Sequence, residues 1–573
     1  MINLVAICAA HGIEEAVLSP GSRSALLTVC FARHPQIRKH VVVDERSAAY
    51  AALGIAQQTE NTVALVCTSG TAALNYAPAV AEAWYANIPL LIITADRPPE
   101  WIDQMDGQAI HQPDIYGDHV KQSFQLPVDT KHPDARWHVE RQVSEAINLT
   151  RAALPGPVHI NVPIREPFYQ TLHNPPVDLI KPKLIQEISS EPALSQQQWQ
   201  DLLNHIKSSK KILILAGQHV YSSSLSSSLE SLTDQNGMTV LGDVLSNLQQ
   251  IPGALTHIDG IVAQLDQHSA EALRSDLLIS FGFGLISKHL KVFFRKYPPT
   301  QHWHIQEAGQ VGDLLQSLTK IVRLKPETFF QKLVSRIDDY QADKAYQGLW
   351  RAMERSTLDA QQSFFQDNTD GSDKNNFCDF ILSKTILDHL PADSDLHLAN
   401  SMPVRYANII GVGNKNLRIY ANRGTAGIDG SLSTALGHAL ATERLQTILI
   451  GDLSFFYDSN ALWQEILPAN LRIVLFNNHG GNIFTMIEGS AKLPECERYF
   501  VTPHQRTARF LAEDFRLGYQ HADNYQVLTD CLDDFFLPSD KAKILELVTD
   551  DKVNTEVFGG YKGLLKPEMK PLL

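Results

Sequence analysis

Short aliphatic runs recur along this chain without the polar alternation of a half-exposed strand, and alanine-rich stretches separate them. Early in the chain the runs are Ala16–Leu18, His40–Val43, Val63–Cys67, Leu90–Thr94 and Val158–Val162, with Ser47–Gln57 and Thr71–Tyr85 between them as helical patterns. Strands that are apolar throughout must be covered on both faces, and the helices between them are the crossovers that make neighbours parallel. The same grammar returns at Lys211–Gly217, Met238–Val244, Asp276–Gly282 and His302–Gln306. It returns again at Leu396–Ala399, Thr447–Ile450, Arg472–Phe476 and Lys543–Val548. The expected fold is α/β, three doubly wound parallel-sheet domains at 1–172, 185–350 and 377–573. The joints between them are His173–Leu184, where prolines forbid a regular element, and the polar stretch Gln361–Asn376.

The 573 residues suffice for three or four domains of ordinary size. Acidic side chains outnumber basic ones 63 to 49, a formal charge of −14. That excess argues against nucleic acid or an anionic membrane as partner, because both need a basic footprint. No apolar run approaches the roughly 18 residues of a membrane span. Met1–Ala10 is apolar but is cut by His11 and preceded by no cation, so it reads as a first helix rather than a signal peptide. The six cysteines form no CxxC pair, which fits a reducing compartment and a cytoplasmic protein.

The chemistry concentrates in Gly451-Asp452-Leu453-Ser454, directly after one strand, and Asn477-Asn478-His479-Gly480-Gly481, directly after the next. A carboxylate and an amide oxygen at adjacent strand ends lie side by side on the ligand edge of an open α/β sheet. With the Gly480 carbonyl they form an oxygen-donor set for Mg²⁺ or Mn²⁺, the remaining positions falling to a diphosphate. Gly480 and Gly481 let the backbone approach closely and are expected to offer free N–H groups.

This pair resembles the thiamine-diphosphate signature, which opens with Gly-Asp and closes with Asn-Asn about one strand–helix–strand unit later. Its usual third residue, Gly, is Leu453 here, and GDLSFFYDSN is similar to one branch: the menaquinone-pathway synthases joining 2-oxoglutarate to isochorismate. SPGSRS (19–24), Asp44-Glu45-Arg46, CTSGTA (67–72), TADRP (94–98), QAIHQ (108–112) and NRGTAGIDG (422–430) resemble that family's blocks, in its order. They cover the first and third domains well and the middle one poorly.

The resemblance implies thiamine diphosphate with Mg²⁺ or Mn²⁺ as cofactors, held through Asp452, Leu453, Ser454, Asn478, Gly480 and Gly481, with Asp452, Asn478 and Gly480 on the metal. It places Glu45 as the acid that activates the cofactor's pyrimidine, a role that needs a carboxyl kept partly protonated by an apolar pocket. A helix-start acid would occupy the same position without catalysis, and Asp44 would serve that purpose equally. Ser401, Ile428, Ile483 and Phe484 are expected to wall the cofactor pocket. Both substrates are carboxylates, for which the arginine fork is suited. Arg405 and Arg423 are assigned to 2-oxoglutarate. Ser22, Arg23, Arg97 and Gln108 are assigned to isochorismate, joined by Lys288 from the middle domain. Two departures weaken the isochorismate assignments: His289 stands where a second cation is common, and Gly107 where a polar amide is common.

The function expected is a carboligase-type transferase forming 2-succinyl-5-enolpyruvyl-6-hydroxy-3-cyclohexene-1-carboxylate and CO₂. The family implies at least a homodimer and suggests a tetramer, with the two cofactor-facing domains drawn from different subunits, although one chain carrying both could pair them internally. The alternatives are another 2-oxo acid decarboxylase or carboligase of the acetolactate synthase type, and a cofactor-binding scaffold without turnover. Four cations at strand ends argue against the first, and the presence of both Glu45 and Asp452 against the second. A nicotinamide site at Phe281–Ser287 fails, because FGFGLIS lacks the third glycine of the dinucleotide fingerprint.

Overall fold

The computed structural model describes residues 1–166, 182–368, 376–486 and 488–565. Strands β1 (Glu15–Leu18), β2 (Arg38–Val41), β3 (Val63–Cys67), β4 (Leu90–Asp96), β5 (Ser123–Gln125) and β6 (Val158–Pro163) form a six-stranded sheet in the order β2-β1-β3-β4-β6-β5. The second sheet has five strands, β7 (Ile212–Ala216), β8 (Thr239–Gly242), β9 (Leu277–Phe281), β10 (Gln301–Ile305) and β11 (Lys320–Val322), ordered β11-β10-β9-β7-β8. The third has six: β12 (Asp395–Leu398), β13 (Arg418–Tyr420), β14 (Gln446–Gly451), β15 (Leu471–Asn477), β16 (Gly518–Ala522) and β17 (Lys543–Val548), ordered β13-β12-β14-β15-β17-β16. Every named pairing is parallel. The first and third sheets are therefore wound identically, although no repeat is visible in the residues.

The continuous apolar runs have the cause expected of them. Ala64 and Val66 of β3 enter one core, while Val63, Leu65 and Cys67 enter another on the opposite face. Strand β7 divides likewise, Ile212 and Ile214 from Leu213 and Leu215. In β15, Val474 and Phe476 part from Ile473 and Leu475. Both faces of each sheet are covered, and the doubly wound expectation holds.

Several local expectations need correction. The run at His40–Val43 pairs as Arg38–Val41, because His40 sits opposite Val17 and bonds Glu15 of β1 at 2.8 Å. The helix expected over Thr71–Tyr85 is two, Thr71–Asn75 and Ala77–Ala86, the second opening on a proline in its first turn. The polar joint at Gln361–Asn376 begins as helix: Lys344–Asn368 continues through Gln361, whose amide donates to Ile409 O and to the Tyr561 hydroxyl. The other joint lies mostly outside the described residues. In Phe281–Ser287 Gly282 serves the backbone, turning at φ +78° where a Cβ would stand 2.8 Å from Gln218 O, while Gly284 has open space.

The first and third domains meet through two helices, Glu45–Thr59 and Ser431–Ala441. A Cβ on Gly54 would lie 2.1 Å from Thr434 O, and one on Gly437 would lie 2.1 Å from Ala51 O. The helices thus cross at backbone contact, which only glycine permits there. No helix among the described residues is long and apolar enough to cross a membrane.

Candidate active site

In the third sheet the strand order reverses between β12 and β14, so their carboxyl ends frame the crevice where such sheets take ligands. Asp452 leaves β14 and opens the helix Asp452–Tyr457. Its carboxylate is buried, Oδ1 accepting from Leu453 N–H at 2.6 Å and Oδ2 from Gly480 N–H at 2.9 Å. Burial pushes this carboxyl up to about 7; the N–H groups of Leu453 and Gly480 oppose the shift, and nearby Asp379 adds to it. His504 Nε2 stands 3.3 Å away, its imidazole held below the ordinary histidine range by burial first and then by His479 and Arg506.

Asn478 follows β15. Its Nδ2 donates to Asp379 Oδ2 at 2.8 Å, while its Oδ1 is buried without a hydrogen-bond partner. Asn482 Oδ1, His479 Nδ1 and His504 Nε2 are buried without hydrogen-bond partners in the same neighbourhood. Buried polar atoms are normally satisfied, so a cluster of orphans around a buried carboxylate marks a ligand's place. Oxygens from Asp452, Asn478 and the Gly480 carbonyl are hard donors of the kind Mg²⁺ or Mn²⁺ takes, and the residues fit the ion. Among the described residues no three His, Cys, Asp or Glu side chains gather to hold a metal, so an ion here depends on amide and main-chain oxygens.

The glycines of this loop differ from expectation in one respect. Neither N–H is free: Gly480 donates to Asp452, and Gly481 to Val501 O at 2.8 Å. What they provide is clearance, since a Cβ on Gly480 would meet Val501 Cγ1 at 2.8 Å. His479 takes the strained turn at φ +64°. Ser454 Oγ donates to Ile428 O at 3.0 Å, bringing Leu453, Ser454 and Ile428 together at the end of β14. Ile483 and Phe484 begin the short helix after the glycines, with Phe484 against Phe500. Ser401 turns the chain out of β12 at φ +76° and accepts from Arg405 Nη1.

Arg423 donates to Asn400 Oδ1 at 2.6 Å, also beyond β12. Partial desolvation lowers Arg405 and then the charge of Arg423 does so, while half-buried Asp259 opposes; buried Asp243 acts likewise on Arg423, so the two guanidiniums share one region with middle-domain carboxylates. Lys288 is exposed at the start of the helix Lys288–Lys296. The cation of that helix that feels Arg423 is Lys291, one turn on.

On the first sheet, Arg23 leaves β1 and is buried, its guanidinium donating to Ile164 O at 3.0 Å and pairing with exposed Glu166 at 2.8 Å. Arg97 leaves β4 and is tied to Gly107 O at 2.7 Å and Asp106 at 2.9 Å. Ser22 and Gln108 are exposed, and Gln108, at φ +57°, rests its Cα against Gly70. Glu45 opens the helix after β2. Burial raises its carboxyl, its own backbone N–H opposes this and Asp44 adds to it. Its charge reaches Cys67 and Tyr76 of its own domain, while flanking Asp44 and Arg46 bond Asn460 at 2.7 Å and Tyr457 O at 2.7 Å.

The chain matches two family models: "Thiamine pyrophosphate enzyme, N-terminal TPP binding domain" over residues 3–121, and "Middle domain of thiamine pyrophosphate" over 178–398. It is 42% identical to a 2-succinyl-5-enolpyruvyl-6-hydroxy-3-cyclohexene-1-carboxylate synthase of Cytophaga hutchinsonii over 96% of both chains. The chain belongs to this synthase family. Two further synthases, of Flavobacterium johnsoniae and Porphyromonas gingivalis, are each 35% identical over 98% of this chain and 97% and 96% of their own.

The structure adds synthase residues that the sequence did not single out. Glu82 is buried and accepts from Gly424 N–H, Thr425 N–H and Thr425 Oγ1 at 2.6–2.7 Å, clamping the loop that carries Arg423. Its signal was a lone carboxylate in the otherwise apolar helix Ala77–Ala86. Gln112 accepts from Gly70 N–H at 2.8 Å and donates to Ala95 O and Asn161 Oδ1 at 3.0 Å, locking the turns after β3 and β4. Asp379 left no such signal: an acid at a helix start is ordinary.

Proposed function

We propose that this protein decarboxylates 2-oxoglutarate and adds the remaining four-carbon unit to isochorismate, forming 2-succinyl-5-enolpyruvyl-6-hydroxy-3-cyclohexene-1-carboxylate and CO₂. The observation that carries the reading is the oxygen-donor cluster Asp452, Asn478 and Gly480 beside the paired guanidiniums Arg405 and Arg423, all at carboxyl ends of one sheet. Thiamine diphosphate would supply the reactive carbon and electron sink. Asp452, Asn478 and the Gly480 carbonyl would hold Mg²⁺ or Mn²⁺ on its diphosphate, and Glu45, raised by burial, would exchange a proton with its pyrimidine. Arg405 and Arg423 would take the distal carboxylate of 2-oxoglutarate. Arg23, Arg97, Ser22, Gln108 and Lys288 would take isochorismate; Arg23's partner Glu166 and Arg97's partner Asp106 are solvent-accessible, so exchange for a substrate carboxylate costs little.

The division into a pyrimidine-binding part (1–172), a central part (185–350) and a diphosphate-binding part (377–573) belongs to the same proposal, as does a cytoplasmic setting. So does a homodimer or larger assembly. The charges Glu45 feels and exerts lie in its own domain, and Val41 and Val43 beside it are exposed, which supports a second copy facing this edge.

The test is purified protein with thiamine diphosphate, Mg²⁺, 2-oxoglutarate and isochorismate, followed by diene absorbance and CO₂ release. Turnover with pyruvate but not with 2-oxoglutarate would refute the substrate assignment. Arg405→Ala is expected to raise KM for 2-oxoglutarate at least tenfold, the loss of about one charged hydrogen bond. Equal weakening of pyruvate would count against that role.

A further inference from the structure

We infer that Asp379 is a positioning residue that sets which end of the Asn478 amide faces the metal. The inference rests on the cofactor reading above. A primary amide presents either oxygen or nitrogen with nearly equal shape, and only the oxygen can bind a cation. The surroundings must therefore choose.

Asp379, in the first turn of the helix Asp379–His389, is 3% exposed. Its Oδ2 accepts from Asn478 Nδ2 at 2.8 Å and its Oδ1 from Thr549 Oγ1 at 2.7 Å. Thr549 is in turn fixed, because its hydroxyl accepts from Asn554 Nδ2 at 3.2 Å and so donates toward Asp379. Asn554 Oδ1 closes the ring by accepting from Asp379 N–H at 2.7 Å. Every proton in this ring has one direction. When ionised, Asp379 can only accept, which compels Asn478 to turn its NH₂ inward and leaves the amide oxygen buried and unpartnered.

Such outer partners of metal ligands typically govern affinity by about 10- to 100-fold. Asp379→Asn tests the logic without changing volume. Thr549 still donates to the oxygen at 379, so the new NH₂ faces Asn478, which must flip and present nitrogen to the ion. Mn²⁺ binding at saturating thiamine diphosphate, read from the electron paramagnetic resonance signal of free Mn²⁺, is expected to weaken by about 10- to 100-fold. Adding Asn478→Asp in that background restores complementarity, because the NH₂ of residue 379 then donates to a carboxylate whose other oxygen faces the metal. The double variant is expected to recover wild-type affinity or better. Thr549→Val leaves Asp379 a carboxylate that can only accept from Asn478, so affinity close to wild type is expected.

Wild-type affinity in Asp379→Asn, or no recovery in the double variant, would overturn the inference. A loss in Thr549→Val as large as in Asp379→Asn would overturn it too, since the carboxylate alone would then not choose the end of the amide. No Mn²⁺ binding by the wild-type protein would instead sink the cofactor reading itself.

Discussion

At the scale of single residues, burial decides which carboxyls change character. Glu45 is raised by desolvation, as its proposed role in cofactor activation requires, and on that proposal Glu45→Gln is expected to lower kcat by at least about 10²-fold, because an amide cannot exchange the proton. Steady-state kinetics with wild-type-like thermal unfolding would establish that loss as chemical. Asp458 is a structural counterpart: fully buried, it accepts from Ser433 N–H at 2.7 Å and Ser433 Oγ at 2.6 Å, yet burial pushes it up to about 7 against those bonds. Its folded value lies above its unfolded one, so the stability it contributes is present below about pH 4 and is lost as pH rises toward 7. The thermal midpoint of the wild type relative to Asp458→Asn should therefore fall between about pH 4 and pH 7. A constant difference would contradict the burial argument.

At the scale of elements, every central strand was legible, together with the edge strands β2 and β8. The unforeseen strands β5, β11, β13 and β16 all lie at sheet edges. An edge strand can be covered less completely and then needs no continuous apolar run: β16 reads Gly-Tyr-Gln-His-Ala and is mostly half-buried, whereas buried β8 keeps one. The crossing of helices Glu45–Thr59 and Ser431–Ala441 depends on Gly54 and Gly437. Gly54→Val drives a branched side chain into Thr434 O and is expected to cost about 1–3 kcal/mol or more, seen as a lower unfolding midpoint. Gly12→Ala, at an open position, changes only the cost of its φ +80°. If both variants unfold alike, the crossing is not a close contact.

At the scale of the whole molecule, a formal charge of −14 coexists with the anion site proposed at the strand ends. Net charge governs large partners and solubility, whereas a diphosphate and small carboxylates respond to a few oriented groups at strand ends. Removal of divalent cations and thiamine diphosphate is expected to lower the unfolding midpoint, and their return at about 100 times Kd to restore about 2.7 kcal/mol. Calorimetry with and without EDTA measures this, and an unchanged midpoint would argue against the metal assignment.

The sequence by itself determined the parallel α/β architecture, because strands covered on both faces leave an unbroken apolar signature. It also placed Asp452, Asn478, Gly480 and the arginines after the carboxyl ends of strands, since motifs that follow strands inherit the strands' ends. Only the tertiary structure decided their partners: that Glu82 of one domain clamps the Arg423 loop of another, that Arg23 and Arg97 already hold partners, and that Asp379 orients Asn478. Hydrogen bonds between residues far apart in the chain carry no local pattern. They exist only once the sheets have brought their ends together.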